Sequence, residues 1–260
     1  MQLDRDHHDD TPTILAIAAL ACILQDILHE GLGHAVTAWL SGAHTVSLST
    51  VAMQADISTR WISASGTLVN IAAGALLWIV LQRRVFRPAT RYFLILAMAG
   101  NLFTGTGYFL FSGVANFGDW AAVINGWAPR DAWRIGLVVV GAITYFASMR
   151  LVARELRPFK RQERSRLRRL CFIPYAADGV LAAAAGLLNP LGVFYVFASA
   201  LPSTLGANSG LLSLPSMMRG VAPADPAAGP IERSVGWLTA GVAGVVVFVG
   251  VLGRSVTFSR

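Results

Sequence analysis

Residues 12–40 read PTILAIAALACILQDILHEGLGHAVTAWL, an apolar stretch with four ionisable side chains near its middle. A helix needs about 20 apolar residues to cross a bilayer. Comparable stretches follow at 62–82, 91–113, 132–150, 172–200 and 234–253. They are too long and too uniform in hydropathy for barrel strands, and helices satisfy their own backbone hydrogen bonds in lipid. The sequence therefore predicts an all-α polytopic membrane protein with about six transmembrane helices.

Composition supports one integral-membrane domain over residues 1–260. Of the 260 residues, 55% are hydrophobic and 13% are charged, whereas soluble domains carry about 25% charged residues. After the first span, residues 41–60 are rich in Ser, Thr and Val with partial alternation, which predicts a short extended segment or hairpin. Residues 201–233 hold several prolines and glycines and predict a flexible loop.

Basic residues indicate orientation rather than nucleic-acid binding. The net charge is +7, but most of the arginines lie in two loops, at 83–91 and 150–169, where contact with lipid headgroups is expected. Lys and Arg favour the cytoplasmic side. The sequence thus predicts an inner or plasma membrane location with both termini cytoplasmic, and no nucleic-acid partner.

The four ionisable residues of the first span require partners. They are Asp26, His29, Glu30 and His34. A carboxylate at bilayer depth costs roughly 3 kcal/mol on insertion scales unless it is paired or hydrated. Imidazole and carboxylate together are the ligands that zinc selects. We therefore expect a divalent metal, Zn²⁺, with a hydrogen-bonded polar cluster as the alternative.

The histidine spacing leaves two geometries open. On a regular α-helix His29 and His34 are about 140° apart, while Asp26, Glu30 and His34 share one face. A π-bulge would instead align the two histidines and keep Glu30 beside them. Gly31 and Gly33 lower the steric cost of such a distortion, although they also suit close helix packing. We favour the bulge.

Three stretches in order resemble the site-2 protease class of membrane zinc metalloproteases. ILHEGLGHAVTAWLSGA, from residue 27, is similar to that family's first core helix, which carries H-E-x-G-H. SGTLVNIAAGALLWIVL, residues 65–81, resembles the Gly-Pro-x-x-Asn landmark, with Thr67 in place of proline. ANFGDWAAV, residues 115–123, lies where the family supplies an aspartate. The resemblance covers residues 12–125, whereas residues 132–253 contribute additional helices.

The resemblance implies a set of site residues. His29, His34 and Asp119 would be zinc ligands, and Glu30 would be the general base that activates water. Asn70 would hydrogen-bond the substrate backbone or a developing oxyanion, or alternatively join buried helices. His44 is a reserve ligand that is better explained as an interface histidine. Asp178 is expected near the cytoplasmic end of its span as an interfacial residue.

The function expected from these residues is hydrolysis of a peptide bond in a membrane or juxtamembrane substrate. The partners would be that peptide or membrane protein and the surrounding lipids. Two alternatives remain open. One is another membrane metal-dependent hydrolase, acting on lipid. The other is a non-catalytic transporter or scaffold with a degenerate metal site.

Overall fold

The computed structural model describes residues 8–160, 164–190, 192, 194, 196–197, 201–224 and 227–260. Within them lie six helices long and apolar enough to cross a membrane, so the all-α polytopic prediction is confirmed. The α-helices are α1 (Thr11–Asp26), α2 (Val36–Leu40), α3 (Arg60–Arg83), α4 (Pro88–Ala115), α5 (Asp119–Val123), α6 (Arg130–Leu156), α7 (Arg164–Leu187), α8 (Gly210–Met217) and α9 (Val235–Gly250). Short 3-10 turns, Arg157–Phe159 and Leu252–Arg254, follow α6 and α9.

The first span is one continuous helix built from three segments. A first π-helix, Ile27–Ala35, joins α1 to α2 without a break in helical backbone. Asp10 caps the start of α1, since the Asp10 carboxylate accepts a hydrogen bond from the Thr13 backbone N–H, as N-cap residues do. The π-helix lies in the half of the span farther from the N-terminus.

Helix α4 is the centre of the bundle and packs against α1, α3 and α6. Its buried side chains include Tyr92, Met98 and Phe103, none of which is exposed. Glycine lets α3 approach closely: a Cβ on Gly105 would lie 2.6 Å from Cγ1 of Ile71. The close approach of α3 and α4 is what brings polar residues of the two helices into direct contact.

A small antiparallel sheet lies at one end of the bundle, in the order β2-β1-β3. Strand β1 (Thr45–Leu48) and strand β2 (Gln54–Ala55) form the extended segment predicted after the first span. Strand β3 (Val256–Ser259) follows α9 and pairs Val46 with Phe258. The sheet thus joins the segment after the first span to residues near the C-terminus.

The opposite end of the bundle holds the N-terminal residues and the arginine-rich loops. Asp9 accepts hydrogen bonds from Arg166 at 2.8 and 2.9 Å, and its carboxylate also accepts from the Ile231 backbone N–H. Lys160 donates to the Met218 carbonyl oxygen. The two termini therefore lie at opposite ends, and the prediction that both share one side is wrong.

The termini lie at opposite ends because the chain returns through the bundle once more than the apolar runs indicated. We call this extra segment the return passage. Helix α7 ends at Leu187 near the sheet, because a Cβ on Gly253 would lie 2.9 Å from the Ala185 carbonyl oxygen. A second π-helix, Pro202–Gly206, and α8 then lead back to the arginine-rich end. The expected flexible loop at 201–233 is therefore wrong for its helical first half. Prolines and glycines interrupt this passage, so its hydropathy resembles that of a loop.

Candidate metal centre

The first π-helix brings the two histidines of the first span together. Nε2 of His29 lies 3.2 Å from Nε2 of His34, and the rings meet edge to face with centroids 4.7 Å apart. In a π-helix, residues five apart align. The predicted bulge is confirmed, and the regular-helix alternative, with His29 turned away from His34, is wrong.

Two glycines make room for this arrangement. A Cβ on Gly33 would lie 2.5 Å from Cα of Gly66, so the π-helix and α3 touch through their backbones. A Cβ on Gly66 would lie 2.5 Å from Nε2 of His34 and 2.9 Å from Cε1 of His29. Gly31 is different, because its nearest atom would be 3.7 Å away. Sequence reasoning missed Gly66, whose signal was its place among the small residues of SASG, 63–66.

The backbone of α3 orients His34. Nδ1 of His34 lies 2.6 Å from the Ile62 carbonyl oxygen. Since a carbonyl only accepts, Nδ1 carries the hydrogen and Nε2 presents its lone pair. The Ser65 hydroxyl lies beside the same carbonyl group. It is the donor to the Ile62 oxygen at 2.7 Å and to the Gly33 oxygen at 2.9 Å.

Asn70 orients His29 in the same way. Its Oδ1 lies 2.6 Å from Nδ1 of His29, and its Nδ2 donates to the Gln25 carbonyl oxygen at 3.2 Å and to Oδ1 of Asn101 at 2.7 Å. These acceptors fix which way the amide faces. Asn70 is fully buried and joins α3 to α1 and α4, as the alternative predicted. Its contact with a substrate or an oxyanion stays a prediction.

Asp119 reaches the histidines from the turn that follows α4. Gly118, with φ of +84°, redirects the chain so that Asp119 opens α5, and this φ favours glycine. Oδ2 of Asp119 lies 3.2 Å from Nε2 of His29 and 3.3 Å from Nε2 of His34.

The three atoms lie close enough together that they could hold one metal ion. With both Nδ1 atoms protonated, the buried Oδ2 of Asp119 has no hydrogen-bond donor and faces two nitrogen lone pairs. Three acceptors this close repel one another unless a cation lies between them. Zinc at about 2.0–2.1 Å from each ligand would separate them by roughly 3.3 Å. The residues fit Zn²⁺, and His29, His34 and Asp119 would hold it.

Glu30 lies next to this ligand set and is fixed by a backbone hydrogen bond. Its Oε2 accepts a hydrogen bond of 2.6 Å from the Met53 backbone N–H, in the segment between β1 and β2. Only 8% of Glu30 is exposed. Met53 occupies one carboxylate oxygen of Glu30. The other oxygen is left to exchange a proton with a substrate or a water.

A cavity of about 900 Å³ opens beside the ligands. Glu30, His34 and Asp119 border it, and so do Met53, Phe111 and Tyr145, together with the second π-helix. Tyr108, another residue that sequence reasoning missed, also borders the cavity and stacks on His29 with centroids 4.9 Å apart. The cavity is large enough for a peptide or a lipid-sized substrate.

Other sequence candidates lie outside the ligand set. His44 is exposed, and its backbone N–H donates to Asp56 at 3.1 Å, in agreement with an interface histidine. Asp178 is 6% exposed and lies midway along α7, so the expectation of an interfacial residue is wrong. No family model, curated protein or solved structure matches this chain, so what the site does has to be inferred from its geometry.

Proposed function

We propose that this protein is a membrane-embedded zinc peptidase of site-2 protease type. The observation that carries the proposal is the convergence of His29 Nε2, His34 Nε2 and Asp119 Oδ2 within 3.3 Å of one another, at the floor of a cavity that Glu30 also borders. Three protein ligands leave one position open, as catalytic zinc sites require.

Zinc bound there would supply Lewis-acid polarisation of the scissile carbonyl and would lower the pKa of water. Glu30 takes the proton of the attacking water on the carboxylate oxygen that Met53 does not occupy. The water oxygen adds to the carbonyl carbon, and Glu30 then returns the proton to the leaving amine as the C–N bond breaks.

The sheet favours a peptide over a lipid substrate. Strand β2 is one of the two edge strands of the sheet, and its residues Gln54 and Ala55 border the cavity. A peptide in extended conformation can add to such an edge through main-chain hydrogen bonds. The same pairing would hold the scissile bond beside Glu30, whose carboxylate is tied to Met53 one residue before β2.

Orientation follows from the arginines. The end of the bundle that holds Arg83, Arg84, Arg157 and Arg166 would face the cytoplasm under the positive-inside rule. The metal centre lies toward the other end and would face the non-cytoplasmic side. The N-terminus would be cytoplasmic and the C-terminus would not. Reporter fusions at the two termini should therefore report opposite sides of the membrane.

The test of the function is Glu30→Gln in the purified full chain. The variant should bind zinc as the wild type does and lose hydrolysis by about 10²- to 10⁴-fold, the usual contribution of a general base. Glu232→Gln, an exposed glutamate at the other end, is the control. Substrates would be a set of membrane-spanning peptides and a set of phospholipids and lipid esters.

The outcomes separate the alternatives. Cleavage of peptides supports the proposal, whereas turnover of lipids alone would make the protein a lipid hydrolase. Full activity in Glu30→Gln refutes the assigned base. Failure to bind zinc under any supply removes both enzymatic functions and leaves a transporter or scaffold.

A further inference from the structure

A second buried polar cluster lies in the bundle, apart from the metal centre. Three side chains meet there: Asp178 of α7, Gln25 of α1, and Asn208, which lies between the second π-helix and α8. Nδ2 of Asn208 donates to Oδ2 of Asp178 at 3.1 Å and to Oε1 of Gln25 at 3.2 Å. The exposed fractions are 6%, 1% and 6% for Asp178, Asn208 and Gln25. The cluster joins three separate passages of the chain.

An ionised Asp178 would lack a counter-charge in this cluster. Among the residues that the structure describes, no basic side chain forms an ion pair with Asp178. Two buried oxygens, Oδ1 of Asp178 and Oδ1 of Asn208, have no hydrogen-bond partner. An unpaired carboxylate at bilayer depth is costly and usually marks a functional site.

A small cavity adjoins these oxygens. It measures about 10 Å³ and is bordered by Cys22, Gln25, Gly100, Asp178 and Asn208, among others. This is close to the smallest volume that holds one water-sized particle. A Cβ on Gly100 would overlap Oε1 of Gln25, so glycine at this position leaves room for the Gln25 side chain. Three polar side chains and several apolar ones thus border room for one small guest.

The helix geometry changes just before Asn208. The second π-helix ends two residues before Asn208. Tyr145 holds the stretch in place, because its hydroxyl donates to the Ala207 carbonyl oxygen at 2.5 Å and accepts from the Gly210 N–H at 2.8 Å. Broken helices at membrane depth are a recurrent setting for bound Na⁺. Gly179 lets this stretch approach α7, since a Cβ there would lie 2.6 Å from Leu205.

We propose that the cavity bordered by Asp178, Asn208 and Gln25 binds one sodium-sized monovalent cation. A single carboxylate is neutralised by one positive charge, whereas a divalent ion would leave a net charge in apolar surroundings. The side-chain oxygens of Asp178, Asn208 and Gln25 suit a hard cation.

The test is thermal unfolding of the purified full chain at constant ionic strength, with sodium chloride replacing choline chloride. The Tm should rise by a few degrees and saturate, because a ligand that binds only the folded state stabilises it. Asp178→Asn should abolish the sodium-dependent rise. Asp131→Asn, whose side chain is 90% exposed, should retain it. Bound zinc should be the same in all three proteins, which separates this site from the metal centre.

A second variant and a direct measurement keep the proposal testable should Asp178→Asn not fold. Gly100→Ala places a methyl group against Gln25 and should weaken sodium binding by at least about tenfold, which corresponds to 1.4 kcal/mol. Calorimetric titration of the wild type with sodium should show one saturable site. Equal Tm in sodium and choline would overturn the proposal. So would a carboxylic-acid infrared band that the wild type shows at all sodium concentrations and that Asp178→Asn lacks, because Asp178 would then stay protonated in sodium.

Discussion

The metal centre and the Asp178 cluster are both buried polar groups in an apolar bundle, yet they are built differently. In the metal centre three acceptor atoms converge within 3.3 Å beside a cavity of about 900 Å³. In the Asp178 cluster one carboxyl group and two amides, together with apolar side chains, border about 10 Å³. The first cluster lies beside a large cavity, whereas the second has room for a single small guest.

We propose separate tasks for these two buried polar clusters. Converging nitrogen and carboxylate ligands with a cavity beside them suit exchange and chemistry at a metal. A closed set of oxygens suits a resident ion that holds helices together. The two sites share the first span, in which α1 contributes Gln25 to one and the first π-helix contributes His29 to the other, only four residues along the chain. Variants test whether one site can be changed while the other is spared.

The largest effect is expected for His34→Ala. The change removes one of three ligands, and zinc affinity should fall by more than about 100-fold, beyond the range seen for residues that merely orient a ligand. Competition with a chelating dye measures it. His44→Ala, at an exposed histidine, should leave zinc affinity unchanged. An equal loss in both variants would mean that the convergence of His29, His34 and Asp119 does not define the site.

Gly66→Ala should follow, although this residue supplies no ligand atom. Its Cβ would lie 2.5 Å from Nε2 of His34, so the imidazole has to move and zinc affinity should fall roughly 10- to 100-fold. Gly31→Ala is the matched control, because its nearest neighbour would be 3.7 Å away. Comparable zinc affinities for the two variants would contradict the role given to the contact between Gly33 and Gly66.

Asn70→Leu should lower zinc affinity by about 10-fold, within the usual range for a residue that orients a ligand. The variant leaves Nδ1 of His29 without an acceptor in a buried position, which also costs about 1–3 kcal/mol in the free energy of unfolding. Asn101→Leu, one hydrogen bond farther from the metal, should have a smaller effect on zinc. Denaturant titration and dye competition together measure both quantities, and a larger effect of Asn101→Leu would refute the assigned order.

The smallest expected effect sharpens the comparison most. Asp178→Asn should change zinc affinity by less than about twofold, because independent sites are nearly additive. Dye competition on the same preparation used for sodium measures it. A loss of zinc as large as that of Asn70→Leu would show that the two clusters act as one hydrogen-bonded unit through Gln25.

The sequence predicted the spans, the paired histidines and the π-bulge because these features are local. Hydropathy runs and i,i+5 spacing are properties of a single segment of chain. The role of Gly66 could not be predicted, because it depends on which helix packs against the histidines. The return passage through Asn208 was also missed, since its prolines and glycines hide the apolar pattern, and the orientation of the C-terminus was wrong as a consequence.

The pairing of β1 with β3 has a consequence for synthesis of the chain. Ser47 and Thr257 share a hydrogen bond although they are 210 residues apart. The ribosome therefore produces His29 and His34 long before β3 exists. One edge of β1 stays unpaired while the later spans are inserted. Because long-range strand pairing is slow and exposed strand edges aggregate, we expect the edge of β1 to need protection until β3 is made.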